Sequence, residues 1–240
     1  MRVVLVLVLA YGLRAQVAVI SHRGEHLHHR ENTMAAFDAA YEAKADYVEV
    51  DIRTTLDGKL MLMHDSTAER TTGVKEEIAK MTSERLRGLG VSTFDEALAF
   101  AETRMGIYMD CKQAKAEDLV DLVRAHHMEK DVLVYCGPRL CKEIQQLEPK
   151  MTLMPEARDA VTARSLIQDL GVKALAFDAN DFKDDVIAVA KEAHVRIYVD
   201  RLGPADNPAG WQDAIDRGAA GIQTDHPAEL ANYLTRLRAR

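Results

Sequence analysis

The chain has few aromatic residues (5%), with one Trp, and it has six Pro and three Cys. No Pro-, Gly- or Ser-rich stretch divides it, so nothing marks a linker between domains. The three cysteines, Cys111, Cys136 and Cys141, are odd in number and lack CxxC spacing. They read as free thiols, neither a disulfide frame nor a zinc site. No apolar run reaches the roughly 20 residues that a transmembrane helix needs, so stable membrane insertion is not expected. Basic residues form no block, and Lys+Arg 31 against Asp+Glu 38 gives a net charge of −7, which excludes a nucleic-acid footprint. No GxGxxG follows the first apolar run, which argues against a dinucleotide fold. What remains is an ordinary globular composition, 48% hydrophobic and 29% charged over 240 residues. That length suits one α/β barrel of about 250 residues.

The first fifteen residues stand apart. Arg2 is followed by the apolar run Val3 to Ala10 and then by Tyr11-Gly12-Leu13-Arg14-Ala15. A short basic start, an apolar stretch and a small residue before a cut describe a secretory signal peptide. The expectation is therefore a signal peptide over 1–15 and a single domain over 16–240, periplasmic or secreted. Leu13 sits where a small residue is preferred, and the odd cysteine count weighs against export. The alternative is an N-terminal core strand in a cytoplasmic protein.

From Val17 onward short apolar or β-branched runs alternate with helical periodicity. The strand candidates are 17–20, 47–52, 60–63, 107–109, 132–135, 152–154, 174–177, 195–199 and 221–223. The helical stretches are 33–44, 93–103, 116–126, 138–147, 161–170, 184–193, 209–217 and 227–237. Alternating β and α predicts a parallel sheet covered by helices. Polar residues fall at strand ends along the whole chain, which favours a distorted (β/α)₈ TIM-type barrel over an open sheet. One strand candidate is then surplus, and 152–154 is the weakest.

In such barrels the chemistry lies at the C-terminal strand ends. The first four carry Ser21-His22-Arg23-Gly24, Glu49-Val50-Asp51, His64-Asp65 and Asp110-Cys111-Lys112. Residues two apart share a face, so Glu49 points with Asp51 and Asp110 with Lys112. Three inward carboxylates need a divalent cation or basic partners, and an all-oxygen set suits Mg²⁺ or Ca²⁺. Arg23 and Lys112 beside those acids imply a bound anion. Two histidines, His22 and His64, add proton transfer, and the sum is what phosphodiester cleavage requires. His26, His28 and His29 follow in a loop at a spacing without ligand geometry and read as a loop feature. Trp211 reads equally as a substrate contact or a core residue, and Asn32 or Thr33 as the cap of the first helix.

HRG at 22–24, ENT at 31–33, ADYVEVD at 45–51, T-x-DG at 55–58, MHD at 63–65, RTTG at 70–73 and GIQTDHP at 221–227 together resemble the glycerophosphodiester phosphodiesterases. The resemblance runs from Val17 to Leu237. It implies a distorted (β/α)₈ barrel, one divalent cation (Mg or Ca) and small glycerophosphodiester substrates hydrolysed to glycerol 3-phosphate and an alcohol. By position it makes Glu49, Asp51 and Asp110 metal ligands, His22 and His64 the catalytic pair, and Arg23 and Lys112 phosphate contacts. The chain departs from the family where Arg30 replaces the usual Pro before ENT, where Asp110 stands for a more frequent Glu, and where the insertion at 72–92 is short. Two rivals are a related barrel phospholipase, which the low aromatic content disfavours, and a silent phosphodiester-binding barrel, which the intact histidines and acids disfavour. Oligomeric state is not legible.

The segment from Asp51 to Leu60 is too short for a helical crossover, which takes a dozen or more residues. A loop returning to the barrel bottom would let 60–64 run parallel to 47–52 and keep the barrel regular, and this is the favoured route. The alternative is a two-residue turn at Asp57-Gly58, which would place Asp51 opposite His64.

Overall fold

The computed structural model describes residues 17–239. The expected signal peptide lies outside these residues. The strands are β1 (Ala18–Ser21), β2 (Tyr47–Thr54), β3 (Leu60–Leu62), β4 (Gly106–Gln113), β5 (Val132–Tyr135), β6 (Thr152–Leu153), β7 (Ala174–Phe177), β8 (Arg196–Asp200) and β9 (Gly221–Thr224). Their order in space is β6-β5-β4-β2-β1-β9-β8-β7, every pair on this path is parallel, and β3 hangs on β2. Between the two ends, Ala157 N–H donates to the Ala176 carbonyl at 2.9 Å and Ala176 N–H to the Pro155 carbonyl at 3.0 Å. The result is a nearly closed barrel of eight parallel strands, in one domain, as expected.

Each of the eight periodic stretches forms a helix, and their starts are marked by local chemistry. Thr93 and Glu96 make a capping box, Asp159 and Asn207 cap through their side chains, and Pro138, Pro208 and Pro227 open helices at the first turn, where a missing N–H costs nothing.

Alternation along the strands separates two apolar layers. Val48, Val50 and Ile52 point outward into the main core beneath the helices, with Phe37, Phe94 and Leu98. Tyr47, Tyr108, Leu133, Met154 and Tyr198 fill the barrel interior around Ile20. Glu49 and Asp51 have the same parity as Tyr47, so the inward face turns from apolar at the barrel floor to acidic at its mouth. A third cluster, Met61, Met63, Ile78, Met81, Leu86 and Val91, packs under the short insertion.

The fold corrects four expectations. The surplus strand is Leu60–Leu62, whereas Thr152–Leu153 belongs to the barrel. That surplus strand pairs antiparallel with β2, so the favoured parallel return does not occur. The hairpin alternative is also one residue out. Thr54 pairs with Leu60, and Thr55 N–H donates to the Lys59 carbonyl, leaving a three-residue loop with Gly58 at φ +74°. Such a loop uses a glycine in the left-handed region, and one extra residue slips the whole register. Asp51 consequently receives the Met63 N–H at 2.9 Å, and His64 follows beyond it. Finally, Cys136 and Cys141 form a disulfide across the turn that links β5 to the helix Pro138–Leu147, with Cα atoms 5.7 Å apart. Cys111 alone is a free thiol.

Candidate active site

Two adjacent strands supply the acids. The register pairs Asp51 of β2 with Asp110 of β4, and carboxylate oxygens of Glu49, Asp51 and Asp110 lie within 4.8 Å of one another. Glu49 and Asp51 are buried, and Asp110 is half-buried. Burial, and then the charges of Asp51 and Asp110, push the Glu49 carboxyl well above the usual carboxylate range. Lys112 partly offsets the cluster, with Nζ 2.6 Å from Asp110 Oδ2 and 3.4 Å from Asp51 Oδ1.

Arg23 follows β1 at φ +54°. That uncommon backbone turns its N–H onto Glu49 Oε2 at 2.8 Å. Gly24 must be glycine, because a Cβ there would stand 2.7 Å from the Ala36 backbone. The Arg23 side chain donates to Glu31 at 3.2 Å and brings Nε to 3.4 Å from Asp51. This Nε is buried and has no hydrogen-bond partner among the described residues. A buried guanidinium N–H held beside the acids in this way is suited to a ligand oxygen.

The histidines stand on opposite flanks, each with its own carboxylate. His22 Nδ1 lies 2.7 Å from Asp225 Oδ1, and His64 Nδ1 lies 2.7 Å from Asp65 Oδ1. Both rings are thus oriented through Nδ1, which leaves Nε2 for proton transfer.

Behind these residues lies a frame that the sequence did not disclose. Asn32, buried at φ +56°, donates from Nδ2 to Asp51 Oδ2 at 2.8 Å and accepts the Asp51 N–H at 3.2 Å. Thr33 alone caps the first helix, Met34–Glu42. Arg70 grips both oxygens of Glu31 at 2.7 Å and Asp65 Oδ2 at 2.7 Å, so one guanidinium ties the His64 flank to the Arg23 flank. Its hydrogen bond is the main reason the Asp65 carboxyl is held down at about 2. Arg53 holds the His64 carbonyl with two donors, at 3.1 and 2.7 Å. On the other flank Asp206 accepts from Asp225 N–H at 2.6 Å and from Trp211 Nε1 at 2.7 Å. Trp211 is buried, so its role is the packing one. Arg30, where the family usually has Pro, bonds the carbonyls of Leu89 and Gly90 at the end of the insertion.

A model of the glycerophosphoryl diester phosphodiesterase family matches residues 22–229, which hold every residue of this site. The chain belongs to that family. A glycerophosphodiester phosphodiesterase of Caldanaerobacter subterraneus is 39% identical over 243 aligned positions, covering 90% of this chain and 97% of the relative. Among solved structures, a glycerophosphodiester phosphodiesterase from Agrobacterium tumefaciens superposes with a TM-score of 0.79 at 24% identity, covering 90% of this chain and 99% of that one. A phosphodiesterase from Oleispira antarctica, in complex with the product sn-glycerol-3-phosphate, superposes with a TM-score of 0.81 at 18% identity, covering 91% and 96%.

The acidic cluster fits a divalent cation. Its donors are all carboxylate oxygens, they converge within one ion's reach, and burial with the neighbouring acids raises the proton affinity of Glu49 and Asp110.

A further carboxylate of the mouth gives a pH-dependent signature. Asp200, at the end of β8, is pushed up to about 7 by burial and by the charges of Asp178 and Asp110. An unfolded aspartate titrates near 3.9. The group therefore favours the folded state fully below about pH 4, and this contribution is lost as pH rises through about 7. In EDTA-stripped protein, Asp200→Asn is expected to leave the melting temperature almost unchanged near pH 3.5 and to raise it increasingly above that, by about 5–15 °C at pH 8. A difference between variant and parent that did not grow with pH would contradict this.

Proposed function

We propose that this chain is a metal-dependent phosphodiesterase that hydrolyses glycerophosphodiesters to glycerol 3-phosphate and an alcohol. The observation that carries the proposal is convergence: two carboxylate-oriented histidines, three carboxylates and two cationic side chains share one barrel mouth. The Oleispira antarctica relative with its bound product supports the substrate class.

Glu49, Asp51 and Asp110 hold the cation, which when bound supplies Lewis-acid stabilisation of charge on the phosphoryl group. Arg23 and Lys112 bind the phosphate oxygens and set the ester in the mouth. His22, oriented by Asp225, takes the proton from the attacking hydroxyl, whether of water or of the adjacent glycerol. His64, oriented by Asp65, gives a proton to the departing alkoxide. Asn32 fixes Asp51 in its ligating rotamer through paired bonds to its side chain and backbone. Asn32→Ala is expected to cost about 10–100-fold in cation affinity or activity, the usual worth of a group that orients a ligand. A cation titration unchanged in the variant would refute that role.

The Cys136–Cys141 bridge, together with the basic-then-apolar opening of the sequence, supports a periplasmic or secreted protein. Among the described residues no helix is long and apolar enough to cross a membrane.

The test of the proposal is a hydrolysis screen of glycerophosphocholine, -ethanolamine, -glycerol and -inositol, each with and without EDTA. Cation-dependent release of glycerol 3-phosphate from at least one of them is the expected result. Tight binding of all four without turnover would favour the silent barrel instead.

A further inference from the structure

The loop after β1 returns its third histidine-bearing turn to the mouth in a way that its spacing did not suggest. His26 Nδ1 lies 2.8 Å from the carbonyl oxygen of His22. An imidazole that donates from Nδ1 to a carbonyl carries its lone pair on Nε2, the arrangement that metal-ligating histidines use. That Nε2 is 3.6 Å from Asp225 Oδ1, and His22 Nδ1 is 2.7 Å from the same oxygen. One ligand atom from each of His22, His26 and Asp225 falls within a 4.8 Å group, and the two rings are perpendicular with centroids 5.3 Å apart. Four-coordinate zinc at ligand distances of about 2.0–2.1 Å has ligand–ligand edges of about 3.3 Å. The observed pairs bracket that edge, so small rotamer changes close the site. The side chains are 14%, 19% and 23% exposed, which leaves a path for an ion from solvent. His28 and His29 take no part, since both turn to Glu25.

We propose that His22, His26 and Asp225 form a second metal site, selective for zinc-class divalent ions, whose occupation inhibits the enzyme. Two imidazole nitrogens and one carboxylate oxygen favour borderline ions, whereas the three-carboxylate cluster favours hard ones. An ion held on His22 Nδ1 displaces the proton shared with Asp225. The neutral ring then carries its one proton on Nε2, so Nε2 has no lone pair left to take a proton from the attacking hydroxyl. The binding claim is independent of the reaction proposed above; only the inhibition rests on it.

The experiment titrates Co²⁺, as a spectroscopic probe, and Zn²⁺ into protein saturated with Mg²⁺. The expected result is one Co²⁺ per chain with visible absorption of a nitrogen-ligated ion, and inhibition of turnover by Zn²⁺. His26→Asn places an amide N–H where Nδ1 was and leaves nothing at Nε2. This variant is expected to keep its Mg²⁺-supported turnover within about twofold, to lose the Co²⁺ spectrum, and to need at least about tenfold more Zn²⁺ for inhibition. The Glu49→Gln/Asp51→Asn double variant is expected to bind Co²⁺ with the same spectrum although inactive. Anomalous diffraction at the zinc edge from soaked crystals of the unsubstituted protein decides without any variant. A peak among His22, His26 and Asp225 supports the site. A peak only among Glu49, Asp51 and Asp110, or a Co²⁺ spectrum unchanged in His26→Asn, overturns it.

Discussion

Replacing His22 or His64 with alanine is expected to lower kcat by at least about 10²-fold, the least that a positioned acid or base contributes. Neither ring belongs to an apolar core cluster, so a thermal melt of each variant should stay near that of the parent. The two losses should differ in kind. A leaving group of low pKa, such as p-nitrophenol, departs without a proton. It should therefore restore most of the rate to His64→Ala and little to His22→Ala. Rescue of His22→Ala instead would exchange the two roles, and near-parental rates in both variants with ordinary substrates would refute the pair.

Asp51→Asn is expected to be the more damaging change, lowering kcat/KM by about 10³-fold or more. The estimate follows from losing several kcal/mol of charge stabilisation at tenfold per 1.36 kcal/mol. Asp51 stands at the centre of the cluster. Asp110 is its register partner, Asn32 binds both its side chain and its backbone, and Lys112 and Arg23 each approach its carboxylate at 3.4 Å. The amide is isosteric, so folding should be retained. Removing one of three crowded carboxylates also relieves Glu49, whose raised proton affinity arises partly from Asp51. The apo variant should therefore be no less stable than the apo parent. A variant that lost activity only because it unfolded would deny Asp51 this role.

The barrel and the seven candidate residues were legible because they depend on periodicity and on strand parity, both local in sequence. What escaped depends on contacts that close only in three dimensions. Asp225 lies in the GIQTDHP motif at 221–227. Its partnership with His22, 203 positions away, requires β9 to lie beside β1. Arg70 meets Glu31 only once the segment after β3 folds back beside the loop that follows β1. Asn32 and Thr33 were both plausible caps, and the choice between them was made by Asp51, a residue of another strand.

The errors have equally particular causes. The favoured parallel return fails because β3 pairs antiparallel with β2, and the two-residue turn weighed as the alternative at Asp57-Gly58 fails in register. The Thr55 hydroxyl, which donates to Asp57 at 2.6 Å, and the Thr55 N–H, which donates to Lys59, widen the loop to three residues. A three-residue strand such as β3 carries too little pattern to reveal its direction, and a two-residue strand such as β6 too little to reveal its place. The disulfide depends on the turn at Gly137-Pro138, which brings Cys136 back over the first turn of the next helix. No cysteine spacing rule contains that turn.

The central claim is that the Glu49, Asp51 and Asp110 cluster holds a cation on which phosphodiester hydrolysis depends. Phosphorus NMR of an equimolar mixture of glycerophosphocholine, -ethanolamine, -glycerol and -inositol with EDTA-stripped, desalted protein tests it most directly. The account predicts no change in the spectrum until Mg²⁺ or Ca²⁺ is added, and then the appearance of glycerol 3-phosphate alone. Full turnover by the stripped protein, or a phosphorylated alcohol such as phosphocholine or phosphoethanolamine as the product, would contradict it.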